Sequence, residues 1–323
     1  MAFRDERRQN FLGETQYREF DDELADRIAD RTKELPRQNI LPATRRSFAW
    51  RIASDNMQLI LLRYTAGTPL PDLRGQLPTL VAAFDSFIPL DTPRPNEAHT
   101  LEITQLEAYV YVMWLLALCR LLGREEFVPK VIGWLDRNAE FNRGRDGLFE
   151  SVVEKLTGSR YETERVLLHP DAYRPLAKAS APDAADRPAL VKEFVENWYK
   201  YMDDCYWHGT HTDKEGSSYF GYWCLEAALV TFLWNIDDSS YRDHLVYPKD
   251  LVDYARQNFP LRDPSAPSAD SRLRCPAGQP CPKAGYWLTP AKADSRRFFK
   301  AGEIMPRFDG DYGETIWQWD EKQ

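Results

Sequence analysis

Residues Tyr219 to Ile236 read Tyr-Phe-Gly-Tyr-Trp-Cys-Leu-Glu-Ala-Ala-Leu-Val-Thr-Phe-Leu-Trp-Asn-Ile and are apolar on nearly every face. A helix without a clean polar stripe cannot lie on a surface, so this stretch must be wrapped by other elements. We read it as the central helix, with Gly221 and Trp223 serving the scaffold. Its one ionisable residue, Glu226, stands among Trp223, Leu225, Ala227, Ala228, Leu229 and Val230, where a carboxylate needs either a partner or a proton. Pairing with an Arg or Tyr of the surrounding helices is the stronger reading, and a buried general acid the weaker one. Gly209 and Gly216 precede the stretch and Asp237-Asp238-Ser239-Ser240 follows it. Tyr247-Pro248 then opens a further helix that ends near Asn258.

The rest of the chain supplies the wrapping. Apolar positions three or four apart predict an amphipathic helix pair over residues 4–41 and a helix over 44–65 that Gly67 and Pro69 stop. A third helix carries Leu73, Leu77, Leu80, Val81 and Phe84, and a strongly apolar one spans 100–122. Shorter helices follow around Trp134 and Val152, and another runs from Leu190 to Trp207. Pro170, Pro175, Pro182 and Pro188 make 158–188 read as a loop or joint. No strand is evident before residue 260, so the fold class is all-α: a multi-helix body around a central buried apolar helix, with an irregular C-terminal tail. The expected domains are an N-terminal helical one over 1–157, a C-terminal helical one over 158–260, and a Pro-rich linker and tail over 261–323. That tail is expected to fold back onto the body, with room for a short hairpin.

Composition narrows the function. The 323 residues carry a net charge of −8, which disfavours a nucleic-acid binder and suits a basic protein partner. The acidity is local: from Glu193 to Asp243 ten acids meet only Lys200, Lys214 and Arg242. The start, Met-Ala-Phe-Arg-Asp-Glu-Arg-Arg, is charged where a secretory signal needs an apolar core, and the longest apolar run, about a dozen residues, is too short for a membrane span. A cytoplasmic protein is expected. Of the five cysteines, Cys119 and Cys224 read as core residues, while Cys275 and Cys281 bracket a Pro/Gly loop and would pair only if oxidised.

Catalysis needs a constellation, and none stands out. His208 and His211 lie three apart beside Asp203, Asp204 and Asp213, but a helix should break at Gly209 and no third ligand has a diagnostic spacing. Capping and hydrogen bonding are the better reading. The acid pairs Asp21-Asp22, Asp203-Asp204 and Asp237-Asp238 suggest magnesium for a diphosphate substrate only weakly, because Asp237-Asp238-Ser239 falls where a helix ends and a turn begins. We therefore expect no catalytic residue, no metal and no cofactor. The sharper reading of the acidic window is a docking surface for a basic protein, built from Asp203, Asp204, Asp213, Glu215, Asp237 and Asp238.

The runs Trp198-Tyr199, Trp207-His208-Gly-Thr-His211, Tyr219-Phe-Gly221-Tyr-Trp223-Cys-Leu-Glu226-Ala-Ala228, Asp237-Asp238-Ser239 and Tyr247-Pro248-Lys-Asp250-Leu251 resemble the C-terminal domain of PoNi-type immunity proteins. Leu61-Leu62-Arg63-Tyr64-Thr-Ala-Gly67, with Leu70 and Leu73, is similar to their N-terminal helical domain. Together these cover most of residues 5–258, and the tail from Pro260 lies outside the pattern. The resemblance implies an all-helical cytoplasmic antitoxin. Such a protein binds a cognate toxin of a polymorphic-toxin system delivered by a secretion system such as type VI, typically a PoNe-type nuclease, and occludes its active site or substrate face. Two rivals remain: an all-α metal-dependent enzyme using His208, His211 and the Asp cluster, and an effector adaptor or chaperone that does not inhibit. Homo-oligomerisation is left open.

Overall fold

In the computed structural model the chain forms two compact units, Met1–Pro260 and Leu261–Gln323. The structure describes residues 2–93, 97–163, 166–212, 218–261, 274–289, 292, 295–308 and 315–320. Among them the first unit is helical. Its helices are α1 (Phe3–Glu6), α2 (Glu14–Glu34), α3 (Pro42–Ala66), α4 (Leu70–Phe87), α5 (Leu106–Leu121), α6 (Val128–Asp136), α7 (Ala139–Asn142), α8 (Gly147–Thr157), α9 (Pro170–Ser180), α10 (Arg187–Trp198), α11 (Leu225–Leu233) and α12 (Lys249–Asn258).

Local chemistry sets the helix ends. Gly67 takes a left-handed φ of 102°, and Thr68 N–H donates back to Arg63 O at 3.0 Å, closing α3. Asp146 and Asp186 accept from Phe149 N–H and Ala189 N–H at the starts of α8 and α10. The Pro-rich stretch expected to be a loop contains α9. Pro170 occupies its first turn, where no intrahelical N–H bond is needed, and Pro188 does the same in α10. Tyr173, Leu176 and Ala179 on α9 then face the core.

Helices α2, α3 and α4 pack in sequence, while α11 packs against α5, α8, α9, α10 and α12. Thus α11 is the wrapped element, with every residue from Leu225 to Leu233 buried. It is shorter than the apolar stretch suggested. Residues 219–224 are not helical but form a buried irregular stretch, with Gly221 at φ +111°. Buried backbone outside a helix must find partners elsewhere. Tyr222 N–H donates to Gln9 Oε1 at 2.9 Å, and Gln9 Nε2 donates to Tyr222 O at 2.6 Å and Leu245 O at 3.0 Å. The Tyr219 hydroxyl also donates to Gln9. Thr65 Oγ1 donates to Phe220 O at 2.7 Å and accepts from Trp223 Nε1 at 2.8 Å. Cys224 N–H reaches Val246 O at 2.9 Å.

Arg8 completes this clasp. Its backbone N–H donates to Thr65 O at 2.8 Å, its guanidinium lies 4.4 Å from the Tyr64 ring centroid, and it pairs with Asp250, which also takes the Tyr64 hydroxyl. Residues 8–9, 64–65 and 219–250 are thereby locked into one body.

The second unit contains a four-stranded antiparallel sheet in the order β1-β4-β2-β3, made of β1 (Arg274–Pro276), β2 (Gly285–Leu288), β3 (Arg297–Phe299) and β4 (Ile316–Trp319). The expected irregular tail thus carries strands of three or four residues, too short for alternation to reveal them. Cys275, Cys281, Trp287, Phe299, Met305 and Trp317 form its small core.

Gly221→Ala tests the clasp. A Cβ there would lie 2.0 Å from Thr65 Oγ1 and 2.5 Å from Trp223 Nε1, at a φ that disfavours any side chain. Overpacking plus backbone strain should lower stability by about 3 kcal/mol, read as a shift of the urea midpoint. A wild-type midpoint would show that the segment repacks freely.

Candidate functional site

Four helices converge on Glu226, which is fully buried in the first turn of α11. Its carboxyl accepts from Tyr173 Oη of α9 at 2.8 Å, Trp198 Nε1 at the end of α10 at 3.3 Å and Trp114 Nε1 of α5 at 3.3 Å. Trp207 extends the aromatic wall, stacking on Trp198 at 5.3 Å between centroids and lying 5.6 Å from Trp114. The expected Tyr partner is present, joined by two indoles instead of an arginine. These donors are neutral, so they soften the loss of water without cancelling it. Burial therefore pushes Glu226 up to about 7, against the opposing hydrogen bonds.

His208 and His211 turn to separate partners. His208 stacks on Tyr199 at 4.1 Å between centroids, while His211 Nδ1 bonds Tyr222 Oη at 2.9 Å and packs on Phe11. Among the described residues no group of three or more His, Cys, Asp or Glu is arranged to hold a metal ion.

The acids of the docking surface separate into distinct environments. Beyond α10 a 3₁₀ turn over Tyr199–Met202 leads into residues 203–207. Met202, Cys205 and Trp207 are buried there, which turns Tyr201, Asp203, Asp204 and Tyr206 outward. Among the described residues Asp203 and Asp204 have no ion-pair partner. Tyr206, 50% exposed, bonds Tyr111 Oη at 2.8 Å, and its N–H donates to Glu107 at 3.3 Å. Burial raises the Glu107 carboxyl, and that backbone N–H opposes the shift. Tyr201, Tyr206 and Glu107 thus join the acidic ridge, although the charge count did not bring them out. The spacing of buried Trp198, Met202, Cys205 and Trp207 is the sequence signal that could have found them.

Asp237 and Asp238 follow the C-terminal end of α11, whereas Trp198 meets the helix in its first turn, at Glu226. Exposed Asp237 accepts from Ser239 N–H and Oγ at 3.0 Å each, the turn expected of Asp-Ser at a helix end, and these bonds lower its pKa. Asp238 requires a correction: it is 3% exposed and cannot line an open docking surface. Arg242 and Arg256 hold its Oδ1 at 3.1 and 3.0 Å, and Tyr247 Oη donates to Oδ2 at 3.2 Å. Asp213 and Glu215 lie outside the described residues.

Among the described residues the helical body encloses a carboxyl hub held by neutral donors and carries an exposed ridge of acids and tyrosines. Two family models match this body. The model for PoNe immunity proteins (PoNi), N-terminal, matches residues 8–134, and that for PoNe immunity proteins (PoNi), C-terminal, matches 144–251. The chain therefore belongs to the PoNe immunity protein family. In fold it is similar to the crystal structure of protein PA2201 from Pseudomonas aeruginosa, at a TM-score of 0.55 and 19% identity over 78% of this chain and 91% of that one. No curated protein matches the chain significantly. No described helix is long and apolar enough to cross a membrane.

The hub predicts a pH dependence. A carboxyl raised from 4.5 to about 7 by burial is protonated more readily in the folded state. Its contribution is complete at low pH and is lost as pH rises through 7. Between pH 5 and 8 the wild type should lose about 2–3 kcal/mol relative to Glu226→Gln, which keeps an acceptor and does not titrate. Urea denaturation of both proteins at each pH measures this, and parallel curves would show that Glu226 does not titrate in that range.

Proposed function

We propose that the protein neutralises a cognate effector by binding over its active site or substrate face, with no chemistry of its own. The match of both family models to the helical body carries this reading. We further propose that the effector is a nuclease delivered by a secretion system, type VI included, and that the encounter takes place in the cytoplasm. A nuclease needs a positive surface for DNA, and an acidic protein can occupy it with fast, salt-sensitive association.

Within this proposal Asp203 and Asp204 lead the contact, because both are exposed and neither has an ion-pair partner among the described residues. Tyr201 and Tyr206 flank them as exposed aromatics of the kind enriched at protein interfaces. Asp213, Glu215 and Asp237 add negative charge. Gly221, Trp223 and Glu226 are assigned to the scaffold, and no cofactor or metal is invoked.

The test pairs the protein with the effector encoded beside its gene. Asp203→Lys/Asp204→Lys should fold as the wild type does, since exposed substitutions cost about 0.5 kcal/mol or less. Its association rate should fall about tenfold or more at low salt, with the difference shrinking as salt rises. Growth rescue on co-expression should weaken with it. Unchanged association would move the contact elsewhere, and failure of the wild type to rescue growth would overturn neutralisation of that effector.

A further inference from the structure

Cys275 and Cys281 stand outside both family-matched regions. Both are free thiols, buried in the six-residue core of the sheet unit with Trp287, Phe299, Met305 and Trp317. The chain between them reverses sharply. Gln279 N–H bonds Pro276 O at 3.2 Å, and Gly278 sits at φ +84°. On one side of the turn Cys275 belongs to β1, which pairs with β4 at the end of the described sheet. On the other, residues 278–281 run against 302–305: Gly278 N–H reaches Met305 O at 2.8 Å, Cys281 N–H reaches Glu303 O at 2.7 Å, and Gly302 N–H reaches Cys281 O at 2.8 Å. Cys275 Sγ lies 3.6 Å from Pro280 O, the carbonyl of the peptide bond that carries Cys281. The Cys275 thiol is raised by burial first and by the neighbouring Cys281 second, which agrees with two sulfurs facing one interior.

We propose that Cys275 and Cys281 form a latent intrachain disulfide, made by exchange with a low-molecular-weight disulfide, that staples β1 to the 278–281 segment. Opening of the small unit exposes one cysteine, whose thiolate attacks a sulfur of the oxidant and expels one thiolate. The second cysteine then attacks the protein sulfur of the mixed disulfide and expels the other. Two protein thiols and one oxidant disulfide become one protein disulfide and two small thiols, so atoms and electrons balance. The linkage suits this unit because a core of six side chains gives a small domain little margin. The helical body holds its thiols apart from this chemistry: Cys119, Cys205 and Cys224 are buried in the main core, and burial pushes Cys119 and Cys205 up to about 12.

The full chain is incubated with oxidised glutathione, and free thiols are then counted under denaturing conditions and mapped by mass spectrometry. The expected result is a fall from five thiols to three, a 275–281 linkage lighter by two hydrogens, and about tenfold slower proteolysis within 274–308. The Cys275→Ala/Cys281→Ala variant should hold three thiols in both conditions and gain no protection. Five surviving thiols, single glutathione adducts, or a linkage without slower proteolysis would each overturn the proposal, and all are read on the wild-type chain.

Discussion

Irregular backbone in the middle of a helical body is tolerated only if every buried N–H and C=O is answered from outside the segment. Four backbone groups of residues 219–224, Phe220 O, Tyr222 N–H, Tyr222 O and Cys224 N–H, are answered by two side chains distant in sequence, Gln9 and Thr65, and by the backbone carbonyl of Val246. The rest follows from it. With this segment fixed, α11 begins at Leu225, Glu226 falls in its first turn, and the aromatic wall of Trp114, Tyr173, Trp198 and Trp207 closes around the carboxyl. Trp207 stacks on that wall, and with Met202 and Cys205 also buried, Asp203 and Asp204 between them stand in solvent. A polar clasp thus organises the core on one side and the exposed acids on the other.

Much of the helical plan was legible because periodicity and punctuation agreed. The stop of α3 at Gly67 and the start of the last helix after Pro248 follow directly from residue type. The stretch from Tyr219 misled in one respect: when both faces are buried, apolar periodicity cannot tell a helix from other buried backbone, and Gly221 was the only local sign. The part played by Gln9 was invisible, since an isolated Gln in a charged amphipathic region carries no pattern. Prolines in 158–188 suggested breakage, whereas Pro170 and Pro188 initiate helices.

For the site, charge density gave the neighbourhood but not the accessible residues. Asp237 and Asp238 are adjacent and chemically identical, yet one caps a turn in solvent and the other is held inside by Arg242 and Arg256. That difference arises from where the chain after α11 meets α12, which no composition count contains. Glu226 was legible as a buried acid. Its Tyr partner belonged to the range anticipated, but its two Trp partners required three helices to meet.

Gln9 and its partners near Tyr222 and Leu245 stand more than two hundred positions apart along the chain. At roughly 5–20 residues added per second, a ribosome needs on the order of ten to forty seconds to make the second half of that contact after the first has emerged. Until then Gln9 lacks the backbone groups it bonds, and the apolar run that becomes α11 has not been made. The central body therefore closes only when most of the chain has left the ribosome.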